Sequence, residues 1–404
     1  MTQTRRPWSR LGLLALVTAA IGAGHLWYGN RHRFYDLGIY RDAMRWWAGG
    51  HPLYDFGKAD PTMGHLGYTY PPFAAILMRP LAWIGLIPAQ VCFVVATVAA
   101  GAAMVWWLSG PLAERLRQPR WFVFGLALVL ATALEPVRET FTFGQINILL
   151  ALLVLLDLLV LLPRGSRFAG VGIGVATAIK LVPGIFIAYL LVSRRYRAAA
   201  VAAATAVAAT GLAFAIAPRD SWAYWTERVI GAEGVGKLHY AFNQSLMGVL
   251  ARLSQPEPPS RLLWLALALP VLVLGLWRAR RAALAGHEVS GLTLAALTGA
   301  LVSPVTWVHH LVWFVPAIVV LVGSRSRGMW ALAGVVYLTL TVSLVAIYDI
   351  YPEWRAGALG FLLGDWDVLL MLVLLVALPV SERVANYPTM PEKSAPSQKV
   401  PTAA

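Results

Sequence analysis

Ten apolar stretches of near-spanning length run along this chain, and the loops between them carry arginines in twos and threes. A helix that crosses a bilayer needs about 20 mostly apolar residues, with a range near 17–25. The stretches are 11–28, 88–109, 121–137, 145–162, 197–217, 261–278, 289–304, 308–323, 328–349 and 364–381. In lipid the backbone must satisfy its own hydrogen bonds, so this pattern predicts an all-α polytopic membrane protein. Composition agrees. Of the 404 residues 59% are apolar and 13% charged, against roughly 45–50% and about 25% in soluble proteins. That excludes a soluble globular enzyme, a disordered chain and a collagen-like fibre. A net charge of +14 in a soluble chain would suggest nucleic acid. Here the partner to expect is membrane lipid, with no nucleic acid. The single cysteine, Cys92, excludes an intramolecular disulfide and a multi-cysteine metal site.

The first stretch follows a basic start (Arg5, Arg6, Arg10), as a signal peptide would. No small-x-small cleavage site follows it, and the chain continues His25-Leu26-Trp27-Tyr28. It reads as an uncleaved anchor. Arginine clusters mark cytoplasmic loops: Arg115/Arg117/Arg120, Arg164/Arg167, Arg194/Arg195/Arg197, Arg278/Arg280/Arg281 and Arg325/Arg327. With residues 1–10 inside, all fall inside only if two ambiguous stretches behave in particular ways. Residues 71–87, which open Pro71-Pro72 and contain Arg79-Pro80, must not cross. Residues 168–193, broken by Lys180 and Pro183, must leave and return to one side as two half-spans. The expected count is ten to twelve spans with both termini cytoplasmic. On this topology the cytoplasmic segments hold 19 basic and 4 acidic residues, and the outer segments 14 of each. The longer loops, 29–70, 138–144, 218–260 and 350–363, lie outside. The tail 383–404, rich in Pro, Ser, Lys and Ala, reads as a disordered cytoplasmic segment.

Chemistry-bearing residues gather on the outer side. Leu37, Tyr40, Met44 and Trp47 recur at helical spacing, which predicts an amphipathic helix on the outer membrane surface, ended by Gly49-Gly50. Asp36 stands at its N-cap position. It is either only the cap or a carboxylate available as a general base; Asp42, six residues on, points elsewhere. Tyr68-Thr69-Tyr70-Pro71-Pro72-Phe73 reads as a rigid entry into an interfacial segment, with aromatics that also suit a sugar ring. Gln145 and Asn147 open an otherwise apolar helix, where amides need partners; these are either helix neighbours or a polyhydroxylated ligand. Arg138 and Glu139 pair with each other or face a ligand. Lys180 interrupts an apolar run, either snorkelling to the interface or meeting a phosphate. Ser303-Pro304-Val305-Thr306-Trp307-Val308-His309-His310 enters a helix, on which adjacent histidines diverge by about 100°. Their spacing is poor for a metal. Asn243-Gln244-Ser245 matches a glycosylation sequon, and Asp157 reads as a structural contact within a span. The chain has no Walker loop, GxGxxG in strand context, GxSxG or HExxH. No cofactor or metal is expected, and an activated sugar would come from outside the protein.

In order, Phe34-Tyr35-Asp36-Leu37-Gly38-Ile39-Tyr40, Gly50-His51-Pro52-Leu53-Tyr54, Tyr68-Thr69-Tyr70-Pro71-Pro72-Phe73, Phe143-Gly144-Gln145-Ile146-Asn147, Lys180-Leu181-Val182-Pro183 and Ser303–His310 form a series. The series resembles glycosyltransferase family 87, polyprenyl-phosphate-dependent mannosyltransferases of actinobacteria with the GT-C fold. The resemblance spans roughly residues 11–380. It implies a GT-C transmembrane domain over 11–382 with a catalytic outer loop at 29–70, in the plasma membrane, with the active site on the extracytoplasmic face. It implies Asp36 as catalytic base and Lys180, His309 and His310 as contacts for the donor phosphate. Tyr70, Arg138, Gln145, Asn147 and Asn243 are implied as substrate-lining residues. The implied reaction moves mannose from polyprenyl-phosphate mannose to a mannose 2-hydroxyl of a membrane glycolipid (a phosphatidylinositol mannoside, lipomannan or lipoarabinomannan). Arabinofuranosyl transfer, a lipid-linked sugar transporter and an envelope scaffold remain open alternatives on the sequence.

Overall fold

The computed structural model describes residues 7–60, 62–229, 236–324 and 326–380. Arg5, Arg6, Arg325 and the tail 383–404 lie outside the described residues, and with them the expectation of a disordered tail. In chain order, α1 (Pro7–Tyr28) leads through a turn to α2 (Tyr35–Ala48). A two-stranded antiparallel hairpin, β1 (Gly57–Asp60) and β2 (Gly64–Gly67), precedes the short α3 (Pro72–Met78). Then come α4 (Leu86–Leu116), α5 (Arg120–Ala133), α6 (Glu135–Phe143), α7 (Asn147–Leu155), α8 (Val171–Ile179), α9 (Ile185–Val192) and α10 (Tyr196–Ile216). They are followed by α11 (Pro218–Ala223), α12 (Leu246–Leu253), α13 (Arg261–Leu284), α14 (Glu288–Val302) and α15 (Phe314–Val322). The described residues end with α16 (Arg327–Val342), α17 (Leu344–Ile350), α18 (Gly357–Gly364) and α19 (Trp366–Ala377).

The chain is a multi-pass helical membrane protein. Among the described residues five helices are long and apolar enough to cross alone: Trp8–Tyr28, Leu86–Leu116, Tyr196–Ile216, Arg261–Leu284 and Arg327–Ile350. Two bent pairs add up to two more, α5 with α6 at 70° and α18 with α19 at 68°. The other apolar stretches are shorter than the sequence windows suggested, because they are broken or interior. The α14 helix shows why length alone undercounts. Its 15 residues reach about 22 Å at 1.5 Å per residue, less than a hydrocarbon core of about 30 Å, yet all but its first and last residues are buried. It touches protein on every side and has no lipid thickness to match. By contrast, α13 exposes Leu262, Leu265, Leu269, Val273 and Trp277, the surface a bilayer would cover.

Residues 71–87 hold α3 and a 3₁₀ turn at Arg79–Ala82, too short to cross, as charge parity requires. Residues 168–193 form a half-length hairpin. A Cβ on Gly170 would come within 2.2 Å of the Ala198 carbonyl oxygen, and one on Gly174 within 2.5 Å of that of Ala202. α8 therefore starts beside the start of α10 and runs parallel to it. α9 ends just before α10 begins, so both feet of the hairpin share one end, and Lys180 to Gly184 form its tip. The break falls at Lys180, whose backbone is extended (φ −149°, ψ 130°); Pro183 lies in the first turn of the 3₁₀ segment Val182–Gly184 that restarts the helix, where its missing donor is tolerated. Asp157 accepts the Ile173 amide at 2.7 Å, the structural contact expected of it.

Two readings of α2 are corrected. Its N-cap is Phe34, left-handed at φ 57°, and no side chain caps it; Asp36 lies within the first turn. The apolar face is not on lipid. Leu37, Tyr40, Met44 and Trp47 are buried against Tyr54, Tyr68, Tyr70 and Ala74, because the loop after α2 and α3 fold back over that face.

Candidate active site

α2 is strapped to the end of α6. Arg33 and Phe34 both adopt positive φ, a conformation that costs roughly 1–2 kcal/mol for a residue with a Cβ. The Phe34 amide donates to the Thr142 carbonyl at 2.8 Å, which offsets part of that cost. At the end of α6, Gly144 has φ 77° and a Cβ there would stand 2.7 Å from Leu37 Cβ. Only glycine permits this approach, and it brings Asp36 beside Gln145.

Gln145 Nε2 donates to Asp36 Oδ2 at 2.5 Å. Gln145 Oε1 accepts from Tyr70 Oη at 2.9 Å, and the Tyr40 and Tyr70 hydroxyls lie 2.8 Å apart. Since Tyr70 donates onward, Tyr40 donates to it. This chain fixes the Gln145 amide with its NH₂ toward the carboxylate. Asp36 Oδ1 has no hydrogen bond among the described residues. Burial pushes the Asp36 carboxyl up to about 6, against the downward pull of the Gln145 bond and the nearby Lys180 charge. A base with that affinity is poised for catalysis near neutral pH.

The second half of the site stands at the hairpin tip. Lys180 Nζ donates to Asn147 Oδ1 at 3.0 Å and lies 2.8 Å from His310 Nε2. It also sits over the Tyr70 ring, 5.2 Å from the centroid. Asn147 Nδ2 donates to the His309 carbonyl at 2.9 Å. His309 and His310 occupy a 3₁₀ turn at Val308–His310, not the first turn of a helix. Their rings meet edge-on at 4.8 Å, and both lie by the cluster. His309 Nε2 is buried and has no hydrogen-bond partner among the described residues, which leaves it available to a ligand. An apolar groove of about 510 Å³ opens alongside, lined by Pro71, Ala178, Leu181, Val207, Phe214 and Trp225. Its walls are chain neighbours of Tyr70 and Lys180, so groove and polar cluster adjoin.

Two sequence candidates stand apart. Arg138 donates to the Ala133 and Thr341 carbonyls and to Ser343 Oγ, and covers the Tyr28 ring. It clamps α6 to the break between α16 and α17. Asn243 is fully buried; it donates to the Leu238 and Pro304 carbonyls and accepts from the Thr306 amide and Ser245 Oγ. It joins two loops and has no bonding capacity left for a sugar. Its burial also leaves the sequon inaccessible. Sequence reasoning missed Tyr40, assigned only to the apolar face although it lies four residues from Asp36 on the same helix. It also missed His32, whose partner Glu139 is remote in sequence.

The fold and the site together define a multi-pass membrane protein with a half-buried carboxylate, a neighbouring pair of basic side chains and an adjoining apolar groove. The chain belongs to glycosyltransferase family 87, whose family model matches residues 68–304. It is 36% identical over 86% of its length to a Mycobacterium tuberculosis protein, of which the match covers 84%. That protein is named polyprenol-phosphate-mannose-dependent alpha-(1-2)-phosphatidylinositol mannoside mannosyltransferase. A Mycolicibacterium smegmatis protein of the same name is 38% identical over 76% of each chain. A second M. tuberculosis protein, named for phosphatidylinositol pentamannoside, is 32% identical over 83% of this chain and 78% of its own. No solved structure matches.

Proposed function

We propose that this protein transfers mannose from polyprenyl-phosphate mannose to a mannose 2-hydroxyl of a membrane glycolipid of the phosphatidylinositol mannoside, lipomannan or lipoarabinomannan type. The observation that carries the reading is Asp36, bonded through one oxygen and open at the other, within electrostatic reach of Lys180, which is bonded to His310 and adjoins an apolar groove. The names of the relatives support the donor and the linkage.

In the proposed mechanism the acceptor hydroxyl gives its proton to Asp36 Oδ1. Its oxygen attacks the anomeric carbon in line, and the bond from that carbon to the phosphate oxygen breaks. The electron pair leaves with polyprenyl phosphate, and a β-linked donor yields an α-(1→2) mannoside by inversion. Lys180, His310 and the free Nε2 of His309 meet the charge that builds on the leaving phosphate. The groove takes the polyprenyl chain. Tyr70, Gln145 and Asn147 hold these groups in place. The reaction occurs on the extracytoplasmic face of the plasma membrane, the side of the outer loops in the charge-derived topology, with both termini cytoplasmic.

The test supplies purified protein in detergent, without a gradient, with polyprenyl-phosphate mannose, polyprenyl-phosphate arabinose and short mannoside glycolipids. Transfer of mannose alone is expected. Transfer of arabinose, or of neither sugar, would overturn the reading.

A further inference from the structure

Beside the Asp36 cluster lies a buried carboxylate that the reaction above does not use. The Glu139 side chain is 3% exposed and lies 2.8 Å from His32 Nε2. It also accepts from Tyr28 Oη at 2.5 Å and from Thr142 Oγ1 at 3.2 Å. An ionised carboxylate only accepts, so His32 carries a hydrogen on Nε2; in the neutral ring Nδ1 is then a bare acceptor, and it has no hydrogen-bond partner among the described residues. The imidazole lies flat on Phe143, with centroids 3.8 Å apart and planes 13° off parallel. Phe143 in turn rests against His309, at 5.4 Å. Tautomer and ring plane are therefore both fixed, while the His32 side chain stays 34% exposed. The same Glu139 carboxylate also pairs with Arg138, Nε at 3.7 Å, so the group that holds His32 is itself anchored, and a histidine that only faced water would need no such mount.

The mount aims at the site. His32 and Asp36 are four residues apart in the turn that opens α2, and both His32 and Lys180 lie within electrostatic reach of the Asp36 carboxyl. Lys180 and His310 hold the leaving phosphate in the reaction proposed above. An in-line displacement brings the acceptor to the opposite side of the anomeric carbon. On that side Asp36 takes the nucleophile's proton, and a sugar held by one hydroxyl would still swing about it.

We propose that His32 is the second grip on the acceptor sugar: Nδ1 accepts a hydrogen bond from the hydroxyl adjacent to the one that Asp36 deprotonates. The inference rests on the transferase reading and names its acceptor class, a pyranoside with a free hydroxyl beside the nucleophilic one.

The test uses the full-length protein, polyprenyl-phosphate mannose, a short mannoside glycolipid and its deoxy analogue lacking the adjacent hydroxyl. His32→Ala is expected to raise the acceptor KM about tenfold, the scale of one hydrogen bond, with the donor KM unchanged. The unchanged donor KM also reports an intact fold. The deoxy analogue costs the wild type a similar factor and costs His32→Ala nothing further. His32→Asn, which keeps an acceptor oxygen, recovers part of the loss. An unchanged acceptor KM, equal losses toward donor and acceptor, or a full deoxy penalty in His32→Ala would overturn the assignment while mannose transfer itself stood. A wild-type protein that transfers no mannose overturns both readings.

Discussion

Two buried polar clusters lie close together in this protein, and they differ in what they leave unbonded. In the first, Asn243 and Gln244 are saturated: the Asn243 amide and carbonyl make four bonds, Gln244 bonds the Ala241 and Gly364 carbonyls and the Asp367 and Val368 amides, and Arg252 pairs with Asp365. Around Asp36 the bonding stops short. Among the described residues Asp36 is bonded through Oδ2 alone, His309 Nε2 is buried without a hydrogen-bond partner, and the partly exposed His32 is bonded through Nε2. The first cluster is a joint between loops. The second is the same kind of network with its valences left for a ligand. Amides at membrane depth do not by themselves mark a site; an incomplete set of bonds among them does.

The sharpest way to break this contrast is Asp36→Asn. Loss of a positioned general base costs about 10²–10⁴ in rate. The variant is near-isosteric, so thermal unfolding in detergent should hardly move while turnover falls by that factor. Turnover near that of the wild type would sink the assignment. Next in size is Lys180→Ala. A hydrogen bond to a charged group contributes about 1.5–3 kcal/mol, so donor KM should rise roughly ten- to a hundredfold with acceptor KM little changed. The reverse split would remove Lys180 from the phosphate.

Much of this was legible in the sequence, for identifiable reasons. Asp36, Tyr70, Gln145, Asn147, Lys180 and the His pair were all visible, because polar residues at the ends of apolar runs stand out against their background. The helical class and the half-hairpin at Lys180 followed from apolar length and arginine parity. Illegible were features set by contacts between remote segments. Arg138 and Asn243 carry the same residue-type signal as their neighbours, and only packing shows that their bonds are spent on Thr341 and Pro304. Span lengths also misled, since α14 is enclosed by protein and needs no full lipid thickness. The Glu139–His32 pair joins segments 107 residues apart, and no local period announces it.

On the closed side, Asn243→Ala leaves the Thr306 amide without its acceptor and the Leu238 carbonyl without the donor that Asn243 supplies, while Ser245 Oγ keeps the Pro304 carbonyl. Each buried unsatisfied group costs about 1–3 kcal/mol. Thermal stability should therefore fall clearly, while the protein that remains folded keeps its donor and acceptor KM. A selective change in either KM would return Asn243 to the substrate-binding set.

A smaller effect separates the two halves of the open cluster by pH. Asp36 must be ionised to act, and its carboxyl lies at about 6, so activity should be half-maximal there and fall tenfold for each unit below it. The Gln145 bond holds that carboxyl down. In Gln145→Leu the acid limb should therefore move upward, with a fold deficit that is full below pH 6 and fades as the pH rises above it. A deficit equal at all pH values would mean that Gln145 acts on position and not on the charge of the base.

The smallest expected effect is Tyr70→Phe, which removes one link of the Tyr40–Tyr70–Gln145 chain and keeps the ring under Lys180. A neutral hydrogen bond contributes about 0.5–1.5 kcal/mol, and the Gln145 amide, freed at Oε1, loses the bond that fixes its orientation. Turnover should drop by roughly three- to tenfold, and the acid limb should move in the same direction as in Gln145→Leu but by less. Donor KM should stay near the wild-type value, because the ring beneath the Lys180 ammonium is intact. Tyr70→Leu removes that ring as well. It should add a donor defect to the same rate loss, and a Leu variant that matched the Phe variant in donor KM would show that the ring does nothing for Lys180.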